Sequence, residues 1–415
     1  MIKFLSVISI LVLLFNGCGK GNSSKPNSGN PEVESAHVLA YRMETPEGRV
    51  YYMEVHEEIP SKSKVSEAIE LGLNNRIYSY NEHPYTWSRD DTTITKWSVD
   101  KVTLEVSKNG VINFAHLGIS GDVAPPVFLS DTQAFFSKLA EGVIVEWNPS
   151  SMKITKVHNV DALPDVGVQI DWYKDWFKYP LSNGKILMSI EFGTPVACCL
   201  DYVKPGAMVA IFDPATSAIE YSKDDRLYSN GLDILSDEEG TKYLAPGRRN
   251  AFVAPYFKEN DSSLPNPFAL LKLNDDGTFD SDFYVDLSNV LPITFYASST
   301  FMLDNKLVFT YVDAKEYNHP DSYDQRWSIY GGGDFKTVVL DLKTLKVTPF
   351  TGFDVDYDYT QFNNTIDGAK YFFAGYTDSA LDTEFSFFLR QDGFDDFKVV
   401  SSHKGGTMQH IAKLW

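Results

Sequence analysis

The sequence predicts an all-β protein whose main domain is a β-propeller of seven blades, closed by its N- and C-terminal strands. Three observations carry that prediction. Past the first segment the chain is built of short runs rich in Val, Ile, Tyr, Phe and Thr, bounded by Gly, Asn, Asp and Pro, and helical periodicity is scarce. One unit recurs six times: an apolar strand, an Asp or Asn turn, and an alternating strand. The region opens on a hairpin and ends on a strand with no partner of its own.

The six units are residues 93–100 into 102–106, 143–148 into 152–154, 208–213 into 218–221, 269–274 into 279–285, 337–341 into 345–348, and 385–390 into 397–400. Their turns fall at 100, 148, 213, 274, 341 and 392, in steps of 48, 65, 61, 67 and 51. A simple propeller blade repeats at about 40–50 residues, so the longer steps imply loops inserted on one face. Each unit would belong to a four-stranded sheet with both faces apolar. Its inner strands read as continuous apolar runs because both faces are covered. The fourth strand alternates because it meets solvent. His37–Met43 and Arg49–Val55 form a hairpin around Thr45-Pro-Glu-Gly48, and Thr407–Trp415 is a further strand; together they would complete a seventh blade. A pair of β-sandwiches is the competing architecture, disfavoured because the units recur with no internal linker. Two short segments, 64–71 and 131–139, read as modest helices.

The first residues read as an export signal. Met1-Ile2-Lys3 is a basic start, and Phe4–Phe15 is an apolar run too short for a bilayer, which needs about 20 residues. The run ends Leu14-Phe15-Asn16-Gly17-Cys18, which resembles a bacterial lipobox, with Cys18 as the lipidated residue. Residues 1–17 are then the signal peptide. Residues 18–36, rich in Gly, Ser, Asn, Pro and Lys, are a flexible tether, and 37–415 are the propeller. Gly19 is not the Asp that would retain a lipoprotein at the inner membrane. By analogy the protein is an outer-membrane lipoprotein, periplasmic or surface-exposed. Cys198 and Cys199 are adjacent and cannot staple distant segments.

The chain of 415 residues carries 56 acidic and 37 basic side chains, a formal net charge of −19. Such a surface repels phosphate backbones, which argues against nucleic-acid binding and against docking on anionic lipid. Membrane association is expected through the lipid anchor alone. No nucleophile elbow, P-loop, zincin or dinucleotide motif is present. The eight histidines are scattered singly. No cofactor is expected. Calcium is the one candidate ion, at Asp354-Val-Asp-Tyr-Asp358, where oxygen ligands alternate but an EF-hand glycine and closing glutamate are missing. Asn274-Asp-Asp-Gly277 reads as a hairpin turn.

Loops with aromatic residues beside arginines are the candidate ligand sites: Tyr85, Trp87 and Arg89; Arg248 and Arg249; and Arg326, Trp327 and Tyr330. Arginine supplies forked hydrogen bonds, and the rings supply stacking and cation–π contact, which suits a flat anionic ligand. The aromatic-rich segment 171–179 reads as structural.

The lipobox, the tether and a propeller carrying Asn75-Arg-Ile-Tyr78, then Thr93-Ile-Thr-Lys-Trp-Ser-Val99, Leu104-Glu-Val106 and a closing Gly405-Gly406 strand resemble bacterial lipoprotein propellers that accompany outer-membrane siderophore receptors. That resemblance implies non-enzymatic capture of a ferric catecholate or related siderophore and delivery to an outer-membrane transporter. It assigns no individual binding residue. Two other classes stay open: a propeller enzyme, lactonase-like or quinone-dependent, with a central metal site, and a scaffold for envelope assembly. Cys18→Ala is expected to move the protein from the membrane to the aqueous phase in detergent partitioning. Unchanged partitioning would refute the anchor.

Overall fold

The computed structural model describes residues 31–88, 90–119, 125–161, 172–193, 206–227, 232–246, 268–291, 293–303, 305–313, 335–350, 359–378, 383–391, 397–404 and 406–415. Cys18, Cys198, Cys199 and the 354–358 segment lie outside them. The described strands run in chain order through seven four-stranded antiparallel sheets. β1 (His37–Thr45), β2 (Gly48–His56) and β3 (Ile69–Leu73) begin sheet 1. Sheet 2 is β4 (Asn75–Tyr80), β5 (His83–Ser88), β6 (Thr93–Val99) and β7 (Val106–Asn113). Sheet 3 is β8 (Val127–Ser130), β9 (Gln133–Lys138), β10 (Val143–Asn148) and β11 (Lys153–Asn159). Sheet 4 is β12 (Trp172–Pro180), β13 (Ile186–Gly193), β14 (Ala207–Asp213) and β15 (Ala218–Asp224). Sheet 5 is β16 (Leu232–Ser236), β17 (Lys242–Pro246), β18 (Ala269–Leu273) and β19 (Phe279–Asp286). Sheet 6 is β20 (Ile293–Leu303), β21 (Lys306–Asp313), β22 (Phe335–Asp341) and β23 (Val347–Pro349). Sheet 7 is β24 (Tyr359–Ile366), β25 (Ala369–Asp378), β26 (Thr383–Gln391) and β27 (Phe397–Lys404). β28 (Thr407–Lys413) then returns to pair with β1, giving sheet 1 the order β28-β1-β2-β3. The fold is a β-propeller, and its closing sheet draws on both termini. The sandwich alternative is thereby excluded.

Alternating side chains explain why the inner strands read as unbroken apolar runs. Successive residues on a strand face opposite sides, and here both sides meet a neighbouring sheet. Phe136 and Val145 of sheet 3 pack with Trp87, Ile94 and Phe114 of sheet 2. The adjacent Phe135 and Ile144 pack with Met188, Ile190 and Phe212 of sheet 4. Leu187 and Val209 of sheet 4 meet Leu244 and Leu271 of sheet 5, and Leu270 meets Phe309 and Leu340 of sheet 6. First strands of sheets 6 and 7 touch through β20 and β24. Tyr41 and Ile411 of sheet 1 then join Ile366 and Tyr371 of sheet 7, while Ala40 and Met53 join Ile77 and Trp97 of sheet 2, closing the ring. Each such fully buried side chain contributes about 1.5–3 kcal/mol.

Fourth strands fall at the rim. Among β7, β11 and β15, exposed positions outnumber buried ones, and Val111, Val157 and Tyr284 of β7, β11 and β19 are more than a third exposed. β7 and β11 lie further along the chain than the alternation alone implied, 106–113 and 153–159 rather than 102–106 and 152–154. The reason is the turn before each.

Four of these turns share one geometry. The Asp100 Oδ1 atom accepts from Val102 N and Thr103 N, Asn148 Oδ1 from Ser151 N, Asp213 Oδ1 from Ala215 N, and Asp341 Oδ1 from Lys343 N and Thr344 N. A left-handed residue follows each Thr or Ser: Leu104 (φ 59°), Met152 (φ 51°), Ser217 (φ 65°) and Leu345 (φ 56°). These backbone donors hold the Asp100 and Asp341 carboxyls below the usual range. The Asn274 turn uses Gly277 (φ 90°), whose N–H donates to the Asn274 carbonyl. The sixth turn, at 392, lies outside the described residues.

Both expected helices are strands instead. Segment 64–71 is one 3-10 turn, Val65–Glu67, running into β3. Segment 131–139 is β9, whose middle residues are all buried, so its run of apolar residues carries no strand period. The folded unit begins at Val33 rather than His37: Ala36 is fully buried and its carbonyl accepts from Leu414 N.

Leu345 is 46% exposed, so its left-handed strain is offset by little packing. Left-handed backbone costs a non-glycine residue about 1–2 kcal/mol, and glycine carries an entropy cost of about 0.5–1 kcal/mol. Leu345→Gly is expected to stabilise the protein by about 0.5–1 kcal/mol in urea denaturation, and a destabilised variant would refute the strain account.

Candidate functional site

Three tight turns and the C-terminus enclose a cavity of about 480 Å³ lined by Tyr80, Asn81, His83, Tyr85, Lys96, Asp131 and their neighbours. The β4–β5 turn is Asn81-Glu82, with φ of 39° and 58°, the two-residue hairpin form that matches strand twist. The Asn81 amide donates to Asp131 Oδ1 on the β8–β9 turn. The Asp131 carbonyl accepts from Ser150 N (3.0 Å) and Ser150 Oγ (2.7 Å) on the β10–β11 turn. Glu82 pairs with Lys101 at 3.0 Å, and the Lys101 ammonium lies 5.0 Å from the Trp415 ring centroid. Sheets 2 and 3 are thus stitched at the rim of the cavity.

Of the polar groups that line it, Lys96 and Tyr85 are buried, whereas Asn81, Glu82 and Asp131 are exposed. Lys96 stands opposite Tyr85 across β5 and β6 and is 7% exposed. Its ammonium donates to Pro149 O at a long 3.4 Å. Burial lowers the Lys96 pKa, against the opposing charge of Asp131. Burial raises the Tyr85 hydroxyl, with Asp131 adding to it, and Tyr80 follows for the same two reasons. Tyr80 is held by stacking on Phe128, at 4.5 Å between ring centroids and 7° between planes. His83 Nδ1 donates to the Trp97 carbonyl at 3.0 Å, which leaves Nε2 as an acceptor. Burial, and then the charge of Lys96, push His83 below its ordinary pKa. At neutral pH the cavity therefore offers two phenolic donors, an ammonium and a neutral imidazole.

The structure places the sequence-predicted residues unevenly. Tyr85 lines this cavity, although its ring is 2% exposed and packs edge-on against Trp147. Trp87 faces the interface between sheets 2 and 3, 3% exposed and edge-on to Phe136. The segment 83–88 is the second strand of its sheet rather than an exposed loop, which is why Trp87 is covered. Arg89, Arg248, Arg249, Arg326, Trp327 and Tyr330 lie outside the described residues. The strand ends that bracket them, after β5, β17 and β21, lie on the face opposite the cavity in the shared up-and-down order. Lys96, Asn81 and Asp131 were not singled out by sequence. The available signal was a lysine inside a third-strand run, Thr93-Ile-Thr-Lys-Trp-Ser-Val99. Among the described residues no group of three or more His, Cys, Asp or Glu is placed to hold a metal ion.

No protein-family model matches the chain, and no curated protein matches it. Solved structures similar to it include the periplasmic gluconolactonase PpgL of Pseudomonas aeruginosa, at 8% identity over 91% of this chain and 99% of that one, with a TM-score of 0.49. A putative 6-phosphogluconolactonase from Bacteroides uniformis shows 12% identity over 92% and 99%, with a TM-score of 0.48. Apo AztD from Citrobacter koseri shows 8% identity over 91% and 98%, with a TM-score of 0.43. At such identities no ligand or activity carries across.

Burial holds His83, His158, His403 and His410 below the ordinary imidazole pKa, His410 at about 4. The unfolded chain therefore binds more protons below about pH 6.5. Stability is fully present above that pH and is expected to fall progressively as pH drops toward 4. Urea midpoints measured between pH 7.5 and 4.5 check this, and His83→Gln should flatten part of the slope. A constant midpoint across that range would contradict it.

Proposed function

We propose that the protein is a ligand-binding propeller of the cell envelope, anchored through Cys18, whose cavity takes a small anionic, oxygen-rich molecule without altering it. The observation that carries this reading is Lys96: an ammonium 7% exposed, with one long hydrogen bond, lining a 480 Å³ space beside two phenols. Burying a charge with so little compensation is costly. A ligand oxygen that accepts from Lys96, with the Tyr85 and Tyr80 phenols beside it, supplies the ammonium with a second partner. A ferric siderophore, captured for an outer-membrane transporter, is the ligand class that the family resemblance implies. Catecholate oxygens on an aromatic ring suit both the donors and the Tyr80–Phe128 stack.

Trp147 packs on Tyr85 and the Trp97 carbonyl holds His83, so intrinsic fluorescence reports on the cavity. Titration with ferric catecholates, ferric hydroxamates and simple aromatic carboxylates is expected to quench that emission for the catecholate set. Lys96→Met should weaken binding about 10-fold or more, the scale of a charged hydrogen bond of about 1.5–3 kcal/mol. Silence across the panel, or equal affinity in Lys96→Met, would overturn the proposal.

A further inference from the structure

The junction of sheets 3 and 4 holds a second chemical arrangement, independent of the cavity. Ser217 Oγ lies 2.8 Å from His158 Nδ1, and His158 Nε2 lies 3.1 Å from Glu146 Oε2. Gln133 Nε2 donates to the other carboxylate oxygen, Glu146 Oε1, at 3.0 Å. Lys156 Nζ donates to Ser217 Oγ at 3.1 Å. On β10 and β11 Glu146 stands opposite Lys156 and His158 opposite Ile144, so Glu146 reaches His158 diagonally, whereas Ser217 comes from the β14–β15 turn of the next sheet.

These partners fix the proton positions. A carboxylate only accepts, so His158 Nε2 carries the hydrogen and donates it to Glu146. Nδ1 is then the lone-pair nitrogen, and the hydrogen between it and Ser217 belongs to the serine. The Lys156 ammonium occupies a lone pair on the same oxygen. The result is a hydroxyl donating to a neutral imidazole that a carboxylate orients, the hydrogen-bond order of a serine triad with the two ring nitrogens exchanged.

The surroundings support that state. The His158 side chain is fully buried, and its ring stands edge-on to Phe212, at 5.0 Å between centroids and 84° between planes. Burial keeps its pKa below the ordinary value despite Glu146, so the ring is a free base at neutral pH. Ser217 is only partly buried and sits at φ 65° on a turn closed by its own N–H to the Asp213 carbonyl.

We propose that Ser217 is an activated nucleophile, with His158 as general base, Glu146 as its orienting partner and Lys156 as the cation that stabilises the serine oxygen as its proton leaves, acting on small activated carboxylic esters. The Ser217 oxygen would bond to the ester carbonyl carbon while its proton passes to His158 Nδ1. The ester C–O bond then breaks, and that proton leaves with the alcohol. Water, deprotonated by the same nitrogen, releases the acyl group as a carboxylic acid and restores the serine.

The full chain treated with a fluorophosphonate probe, then digested and mapped by mass spectrometry, tests this. Ser217 should be labelled ahead of every other serine, at a rate rising with pH through an inflection below 6.5. Ser217→Ala should abolish that label. Glu146→Gln and Lys156→Ala, both at solvent-reached side chains, are checked for an intact thermal transition. Glu146→Gln should slow labelling about 10-fold or more, within the range of a positioned base. No label at Ser217, or an equal rate in folded Glu146→Gln, would overturn the proposal and leave the trio as a latch between sheets.

Discussion

Among the described residues, sheets 1 to 5 bury apolar side chains on both faces, and only the completed ring covers the last of them. The pairing of β28 with β1 therefore governs the rest. His37 stands opposite Lys413 and Leu39 opposite Ile411, with one bulge between Ala40 and Tyr41. Gly406, just before β28, is so close to the Arg42 carbonyl that a Cβ there would sit 2.6 Å from its oxygen. Behind this seam Glu54 is buried, accepting from the Tyr41 hydroxyl (2.8 Å), His56 Nε2 (2.8 Å) and Lys64 N (2.9 Å). Burial alone would raise its pKa; these three donors overcome that and hold it low. A second joint ties sheet 1 to sheet 7. Ser63 N donates to the Ser402 carbonyl, and Ser63 Oγ lies 2.7 Å from His403 Nδ1. Removing one partner from such a buried set strands the others, which is why the seam is chemically specific as well as apolar.

What the sequence displayed of this fold was its third strands and their turns. β14, β18 and β22 read correctly because an unbroken apolar run ending at Asp or Asn has few other interpretations. First strands were harder to see. β8, with one buried position in four, lacks both an apolar run and clean alternation. β9 had the opposite fault, since Ala134 and Phe136 serve one interface while Phe135 serves the next. The strongest local signal went unused. Asp or Asn, then Ser or Thr three residues on, then one left-handed residue, recurs at 100, 148, 213 and 341, and sets where each fourth strand starts.

The candidate site was less legible, and for a physical reason. Its groups come from a hairpin turn in sheet 2, a second and a third turn in sheet 3, and one lysine in β6. No spacing along the chain encodes that convergence. Tyr85 was noticed for its aromatic neighbours, which do other work: Trp87 packs the interface between sheets 2 and 3. His158 and Ser217 were equally inconspicuous, one a lone histidine in a rim strand, the other inside a Pro-Ala-Thr-Ser turn. Only the docking of sheet 4 on sheet 3 makes them neighbours.

The joining of the first strand to the last has a kinetic consequence. Bringing opposite ends of a long chain together carries a loop-closure entropy that grows with the logarithm of the intervening length. Folds dominated by such non-local pairings are slow to form. While the C-terminal segment is still being synthesised, sheet 1 lacks its first strand, and neighbouring sheets keep an uncovered face. A polypeptide of this design stays open at one seam until β28 is in place, and its ring locks only then.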